Sequence, residues 1–157
     1  MPIVLYRVDD RLVHGQVVIG WGKQLGVAYI VLVDDTVAGS HWEQDLYRMG
    51  APPEIELYFS TVADFARRAE AWRTDPRTGI VITADIGTMA AICRTASPVP
   101  QVNLGGIHHR PGRRERLPYV YLTDEEFQAL EQLEREGTEV RAQDMPGTVP
   151  VPLASLR

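Results

Sequence analysis

The sequence predicts an α/β fold: a single three-layer domain with a mostly parallel central sheet of about six to seven strands, helices on both faces and an antiparallel edge. Three observations predict it. Short apolar runs recur along the 157-residue chain, as strands buried on both faces require. Stretches with apolar residues at helical spacing and recognisable caps lie between them. The links are short, so successive strands have to be joined by helices that lie on the sheet.

Ile3 to Val8 is an apolar run ending at Asp9-Asp10, the first strand. Leu12 to Leu25 carries Val13, Val17, Val18, Trp21 and Leu25 at helical spacing, with Gly26 as the stop. Tyr29 to Val33 is the second strand, closed by Asp34-Asp35. Ser40 caps a helix to Met49, and Gly50-Ala51-Pro52-Pro53 ends it. Ile55 to Phe59 is the third strand. Ser60-Thr61 opens a helix through Trp72, with Thr61 and Asp64 resembling a capping box. Gly79 to Thr83 is the fourth strand, Ile86 to Thr95 a short helix, and Val99 to Leu104 the fifth strand. A Gly/Pro-rich link within residues 105–118 favours an antiparallel hairpin leading to a sixth strand, Tyr119 to Leu122. Thr123 caps a helix through Glu136, with Glu126 at the third position and Gly137 as stop. Glu139 to Gln143 is a short last strand, and residues 146–157 read as an extended, proline-rich C-terminal tail of the 1–157 domain.

Composition sets bounds. Hydrophobic residues make up 45% and charged residues 24%, near the globular average. No apolar run approaches the roughly 20 residues of a membrane helix. The N-terminus has no basic, apolar and small-residue sequence of a secretory signal, so a cytoplasmic location is expected. One cysteine, Cys93, allows neither an internal disulfide nor a cysteine-based zinc site, and Cys93 is expected to be a small buried residue. Trp21, Trp42 and Trp72 fall at apolar helix positions and read as core or interface residues. The net charge of −5 disfavours nucleic-acid binding through overall charge. There is no Gly-x-x-x-x-Gly-Lys-[Ser/Thr] loop and no Gly-x-Gly-x-x-Gly fingerprint.

Ligands of open α/β sheets bind beyond the carboxyl ends of the strands. The first such end, Arg7-Val8-Asp9-Asp10-Arg11-Leu12-Val13-His14-Gly15-Gln16, holds two arginines, two aspartates and a histidine. Free amides at a helix start favour an anion, and arginine offers a fork for phosphate oxygens. An aspartate that holds one imidazole nitrogen leaves the other free as a nucleophile. Together these suit a transient phosphohistidine; the bland alternative is a capped helix with ion pairs across a loop. A second cluster is Asn103-Leu104-Gly105-Gly106-Ile107-His108-His109. Its glycines allow a close backbone approach or a turn. Its adjacent histidines point to opposite faces of an extended segment, which suits no metal; neither a metal nor a cofactor is expected. Arg110 to Arg116 holds four arginines in seven residues, a solvated turn or a patch for RNA or an acidic partner.

Residues 7–17, Arg-Val-Asp-Asp-Arg-Leu-Val-His-Gly-Gln-Val, resemble the IIB component of the mannose/fructose/sorbose type of the bacterial phosphoenolpyruvate-dependent sugar phosphotransferase system. Val31 to Asp35, Met49 to Pro53, Val102 to His108 and Leu122 to Glu126 match family segments in the same order. The resemblance implies a mostly parallel α/β fold. It also implies a cytoplasmic phosphocarrier, associated peripherally with the membrane, that accepts a phosphoryl group from a IIA phosphohistidine. The group then goes to a hexose held by the membrane components IIC and IID. It implies His14 as the phosphoryl acceptor through Nδ1, Arg11 and Asp10 as its catalytic neighbours, and Arg7, Arg11 and Gly15 around the phosphate, with Asp10 as the candidate for orienting the ring. A homodimer is compatible with it. Two rival expectations stand beside this: a regulatory phosphoacceptor without a transport role, and an RNA- or acidic-partner-binding module using Arg110 to Arg116.

Overall fold

The computed structural model describes residues 3–96 and 98–157. Its first strand, β1 (Ile3–Val8), runs through the middle of a parallel sheet. On one side it pairs with β4 (Gly79–Thr83), then β2 (Tyr29–Val33) and β3 (Glu56–Ser60). On the other it pairs with β5 (Gln101–Leu104) and then β8 (Glu139–Ala142). The two-residue β9 (Val151–Pro152) closes that side antiparallel to β8. Among the described residues this gives one sheet of seven strands, and the expected architecture holds.

The period-2 alternation of strands sorts the core into two layers. Ile30, Leu32, Ile80 and Ile82 face one side and pack with Val17, Val18 and Trp21 of the first helix and with Val37. Tyr6, Val8, Tyr29, Val31, Val33 and Val81 face the other. There they meet α4 (Val62–Arg67), α5 (Ala69–Thr74), α6 (Ile86–Thr95) and α7 (Asp124–Arg135). Gly79 sits opposite Tyr29 in register, and the Tyr29 ring fills the space a side chain there would need.

Side-chain caps open the helices where expected. Ser40 Oγ accepts from Glu43 N at 3.3 Å, starting α3 (His41–Met49). Thr61 Oγ1 accepts from Asp64 N at 3.0 Å. Thr123 and Glu126 form a reciprocal capping box at α7. Each such cap satisfies an amide that the helix leaves unpaired.

Several expectations need correction. The first helix does not begin at Leu12: α1 is a π-helical segment, Gln16–Gly22, that ends as an α-turn at Lys23–Leu25, so His14 stands ahead of it. A short helix α2 (Asp35–Ala38), capped by Asp34 Oδ1 on Val37 N at 2.9 Å, fills the stretch between the second strand and Ser40, where no element was expected. The helix from Thr61 breaks at Arg68 into α4 and α5. Trp21 and Trp72 are buried as core residues and Trp42 is exposed on α3, none of which departs from the expectation. The hairpin pairs β6 (Arg114–Leu117) with β7 (Val120–Leu122) in a sheet of its own, and the antiparallel edge of the main sheet is β9.

The tail also differs from an extended segment. After β9 it closes in a 3₁₀ turn, Leu153–Leu156, with Leu153 and Leu156 buried. Arg116 Nη1 donates to Leu156 O at 3.0 Å and ties the turn down. Leu156→Ala is therefore expected to cost about 2–5 kcal/mol, as for a buried leucine in a core. A lower urea midpoint at unchanged slope would show it; an unchanged midpoint would mean the turn contributes nothing.

Candidate functional site

The site is built where β1 ends. Arg7 and Asp9 lie two residues apart and so share a face, the one under α1. Arg7 is fully buried, its guanidinium carbon 5.1 Å from the centre of the Trp21 ring. Its Nη1 donates to Asn103 Oδ1 and, at 2.9 Å, to Gln143 O. Its Nη2 donates to Asp9 Oδ2 at 3.2 Å and to Asp144 O at 3.1 Å. A buried cation survives only when paired and hydrogen-bonded in this way.

Asp9, also fully buried, is the hub. Oδ1 accepts from Arg11 N at 3.1 Å and Arg11 Nε at 3.0 Å, and Oδ2 from Arg11 Nη2 at 3.0 Å. His14 Nε2 faces the same Oδ2 at 3.3 Å. Burial alone would push the carboxyl pKa up. The hydrogen bonds from His14 and Arg11 and the charge on Arg7 outweigh it and hold Asp9 well below the usual carboxylate range. Burial lowers the Arg7 pKa against the pull of Asp9, and the bond to Asp9 raises that of Arg11. All three groups carry their charges at neutral pH.

A bend brings His14 back over Asp9. Leu12 N donates to Asp9 O at 2.9 Å, and Leu12 itself has φ +58°, in the left-handed region. For a bulky side chain this costs on the order of 1–3 kcal/mol. The Leu12 side chain, buried against Val13 and Val17, holds the turn in place. The carboxylate beyond Nε2 fixes the proton there. Among the described residues nothing bonds Nδ1. His14 is 19% exposed and Arg11 33%, against none for Asp9 and Arg7, so the imidazole and one guanidinium face outward on a buried ionic base. Arg11 Nη1 has no protein partner among the described residues. Gly15, exposed at the start of α1, leaves open space around its Cα.

Gly105 and Gly106 make the floor of the site. A Cβ on Gly105 would overlap the Arg7 guanidinium; one on Gly106 would stand 3.0 Å from Arg11 Nε. The two glycines thus make room for two arginine side chains and not for a turn, since neither has positive φ.

The structure places the expected residues unequally. His14, Arg11 and Gly15 meet at the mouth of β1. Arg7 lies beneath them, enclosed and paired, where it anchors Asp9. Asp10 does not face the His14 ring: it accepts from His108 N at 2.7 Å and meets His108 Nδ1 at 2.5 Å. Asp9 holds the place that was expected of it. His109 stands edge-on to Tyr121. The arginine run is engaged within the molecule: Arg113 pairs with Glu126, and Arg114 and Arg116 with Asp124. Asn103, through its side chain, and the main chain of Gln143 and Asp144 belong to the site through Arg7; a main-chain acceptor leaves no mark in a side-chain pattern.

Comparison with known proteins identifies the family. Residues 3–156 match the family model described as PTS system sorbose subfamily IIB component. The N-acetylgalactosamine-specific phosphotransferase enzyme IIB component 1 of Escherichia coli K12 is 32% identical over 157 aligned positions, covering 92% of each chain. The fructose-specific EIIB component of Bacillus subtilis is 26% identical, covering 93% of this chain and 90% of that one. The crystal structure of the E. coli N-acetylgalactosamine-specific IIB component 1 superposes with a TM-score of 0.88 at 28% identity, over 95% and 97% of the two chains. The IIB domain of the Klebsiella pneumoniae sorbose permease has the same fold, with a TM-score of 0.90 at 24% identity over 99% and 96%. With the family model matched across nearly its whole length, the chain belongs to the sorbose-subfamily IIB components, of the mannose/fructose/sorbose type, of the sugar phosphotransferase system.

Proposed function

We propose that this chain is a phosphocarrier whose His14 takes a phosphoryl group through Nδ1 from a IIA phosphohistidine and passes it to a hexose at IIC/IID membrane components. The observation that carries the reading is the contact between His14 Nε2 and the buried Asp9 carboxylate at 3.3 Å. It leaves Nδ1 as the nitrogen with a free lone pair, on the outward side of the ring. That lone pair forms the new N–P bond as the donor's N–P bond breaks and its electron pair returns to the donor imidazole. The His14 ring becomes an imidazolium whose Nε2–H stays on Asp9, where opposite charge stabilises it. Arg11, with Nη1 free, and the first amides of α1 balance charge on the moving group; phosphoryl transfer is catalysed largely by such positioning and charge stabilisation.

Membership of the family carries the role in sugar phosphotransfer. The E. coli mannose-specific EIIAB component, 27% identical over 143 residues and matched over 43% of its own length, joins an A and a B unit in its name, which supports a IIA donor. Among the described residues no helix is long and apolar enough to cross a membrane. Membrane contact in this reading is peripheral, from the cytoplasmic side.

The test is the position of the label. After incubation with phosphoenolpyruvate, the general phosphotransferase proteins and a IIA domain, acid-labile phosphate is expected on His14. Nitrogen-resolved NMR is expected to place it on Nδ1. Phosphate on Nε2 would overturn the role given to Asp9; no phosphate on His14, with a IIA domain active toward another IIB, would overturn the phosphocarrier reading.

A further inference from the structure

The two transfers in this reading differ by one proton. Taking a phosphoryl group from another imidazole exchanges one N–P bond for another, and no proton has to leave. Passing it to a sugar makes an O–P bond from a hydroxyl, and the hydroxyl proton needs an acceptor. Asp9 is unsuited, because Arg7, Arg11 and His14 already occupy its oxygens and hold it as a weak base.

A second carboxylate–imidazole pair stands beside the first. Asp10 Oδ2 accepts from His108 N at 2.7 Å, and Oδ1 meets His108 Nδ1 at 2.5 Å. The carboxylate fixes the ring proton on Nδ1 and leaves the Nε2 lone pair free; among the described residues nothing bonds it. The segment is held firmly: Asp10 N donates to Gly106 O at 2.8 Å, and Arg113 Nη1 to His108 O at 2.8 Å. Arg113 is itself neutralised by Glu126 at 2.8 Å. Arg11, which grips Asp9 under His14, also lies against Gly106, two residues before His108. One guanidinium therefore borders both pairs. The charged groups around the His108 segment are Asp10, Arg11 and the Arg113–Glu126 pair, with His109 as its chain neighbour. The His108 side chain is 63% exposed, against 19% for His14.

We infer that His108, positioned by Asp10, accepts the proton of the sugar hydroxyl in the onward transfer from His14; this rests on the phosphocarrier reading above. The hydroxyl oxygen forms the O–P bond while the bond from phosphorus to His14 Nδ1 breaks and its electron pair returns to the ring, which becomes neutral. The hydroxyl proton moves to His108 Nε2. The imidazolium so formed is stabilised by Asp10 and later releases its proton to water.

The experiment separates the two half-reactions. Wild type, His108→Gln, His108→Gly and Asp10→Asn are charged with radiolabelled phosphate through IIA, then discharged into vesicles carrying the IIC and IID components with sugar. In the His108 variants the rate of charging is expected to stay within about twofold of wild type, while discharge slows at least about tenfold, the low end of what a positioned base contributes being larger still. Added imidazole is expected to restore part of the His108→Gly rate. Asp10→Asn is expected to follow the same pattern more weakly. Wild-type discharge in His108→Gln, or charging and discharge falling together without imidazole rescue, would overturn the assignment. Absence of label on wild-type His14 is a different failure: it appears at the charging step and removes the phosphocarrier reading and this inference together.

Discussion

Asp9→Asn is expected to lower the unfolding free energy by about 3–5 kcal/mol, the range for breaking a buried ion pair from one side. The size follows from what is left behind. Arg7 has no exposure at all and keeps only neutral acceptors in Asn103, Gln143 and Asp144. Arg11 loses both of its carboxylate contacts, and the His14 ring loses the anion that fixes its proton. Phosphoryl acceptance should fall by at least about a hundredfold, because tautomer and orientation go together. The effect has a pH signature. The folded Asp9 pKa lies well below its unfolded value of about 3.9, so its stabilisation is present above about pH 4. It is lost as pH falls through the folded value. The gap between wild type and variant should thus be constant from about pH 5 to 7 and shrink in strong acid. Urea unfolding at several pH values measures it; a gap under about 1 kcal/mol at neutral pH would remove Asp9 as the hub of the site.

The second large effect is expected from one added methyl group. Gly105→Ala places a Cβ inside the Arg7 guanidinium. A flexible side-chain end would move aside, but Arg7 is pinned by four hydrogen bonds in a closed space. Either the guanidinium leaves Asp9 or the β5 backbone shifts, and overpacking of this kind costs about 1–3 kcal/mol or more. Gly147→Ala is the control: no atom lies within 4 Å of its Cβ, and it should change stability by less than about 0.5 kcal/mol. Similar midpoints for the two variants would show that the space under Gly105 can relax.

Much of this molecule was legible before its structure. The unbroken apolar runs of β2 and β4 announce strands covered on both faces, and both are buried at every position. The caps at Ser40, Thr61 and Thr123 act where the side chains say they should. The neighbourhood of His14 was legible too, but not its wiring. Asp9 and Asp10 are equivalent by composition. The alternation that puts Leu5 and Arg7 on the α1 face extends past the strand and selects Asp9. The left-handed turn at Leu12 left no trace, because leucine is an ordinary helix former and only the tertiary demand on His14 overrides it. The arginine run was legible in part: charge density reads as surface and Arg110 and Arg114 are exposed, yet Arg116 is nearly buried over the Phe127 ring. The tail misled because proline suggests extension, while Leu153 and Leu156 are what decide its path.

The two-residue strand β9 has a consequence for how copies of this protein coexist in a crowded cell. Without it the sheet would end on β8, a row of unsatisfied amides and carbonyls open to any passing strand. With it, the outermost strand carries Pro152 and follows directly on Pro150. Neither has an amide hydrogen to offer. The rim is left with too few donors to template a neighbour, so this flank of the sheet is closed to growth by edge-to-edge stacking.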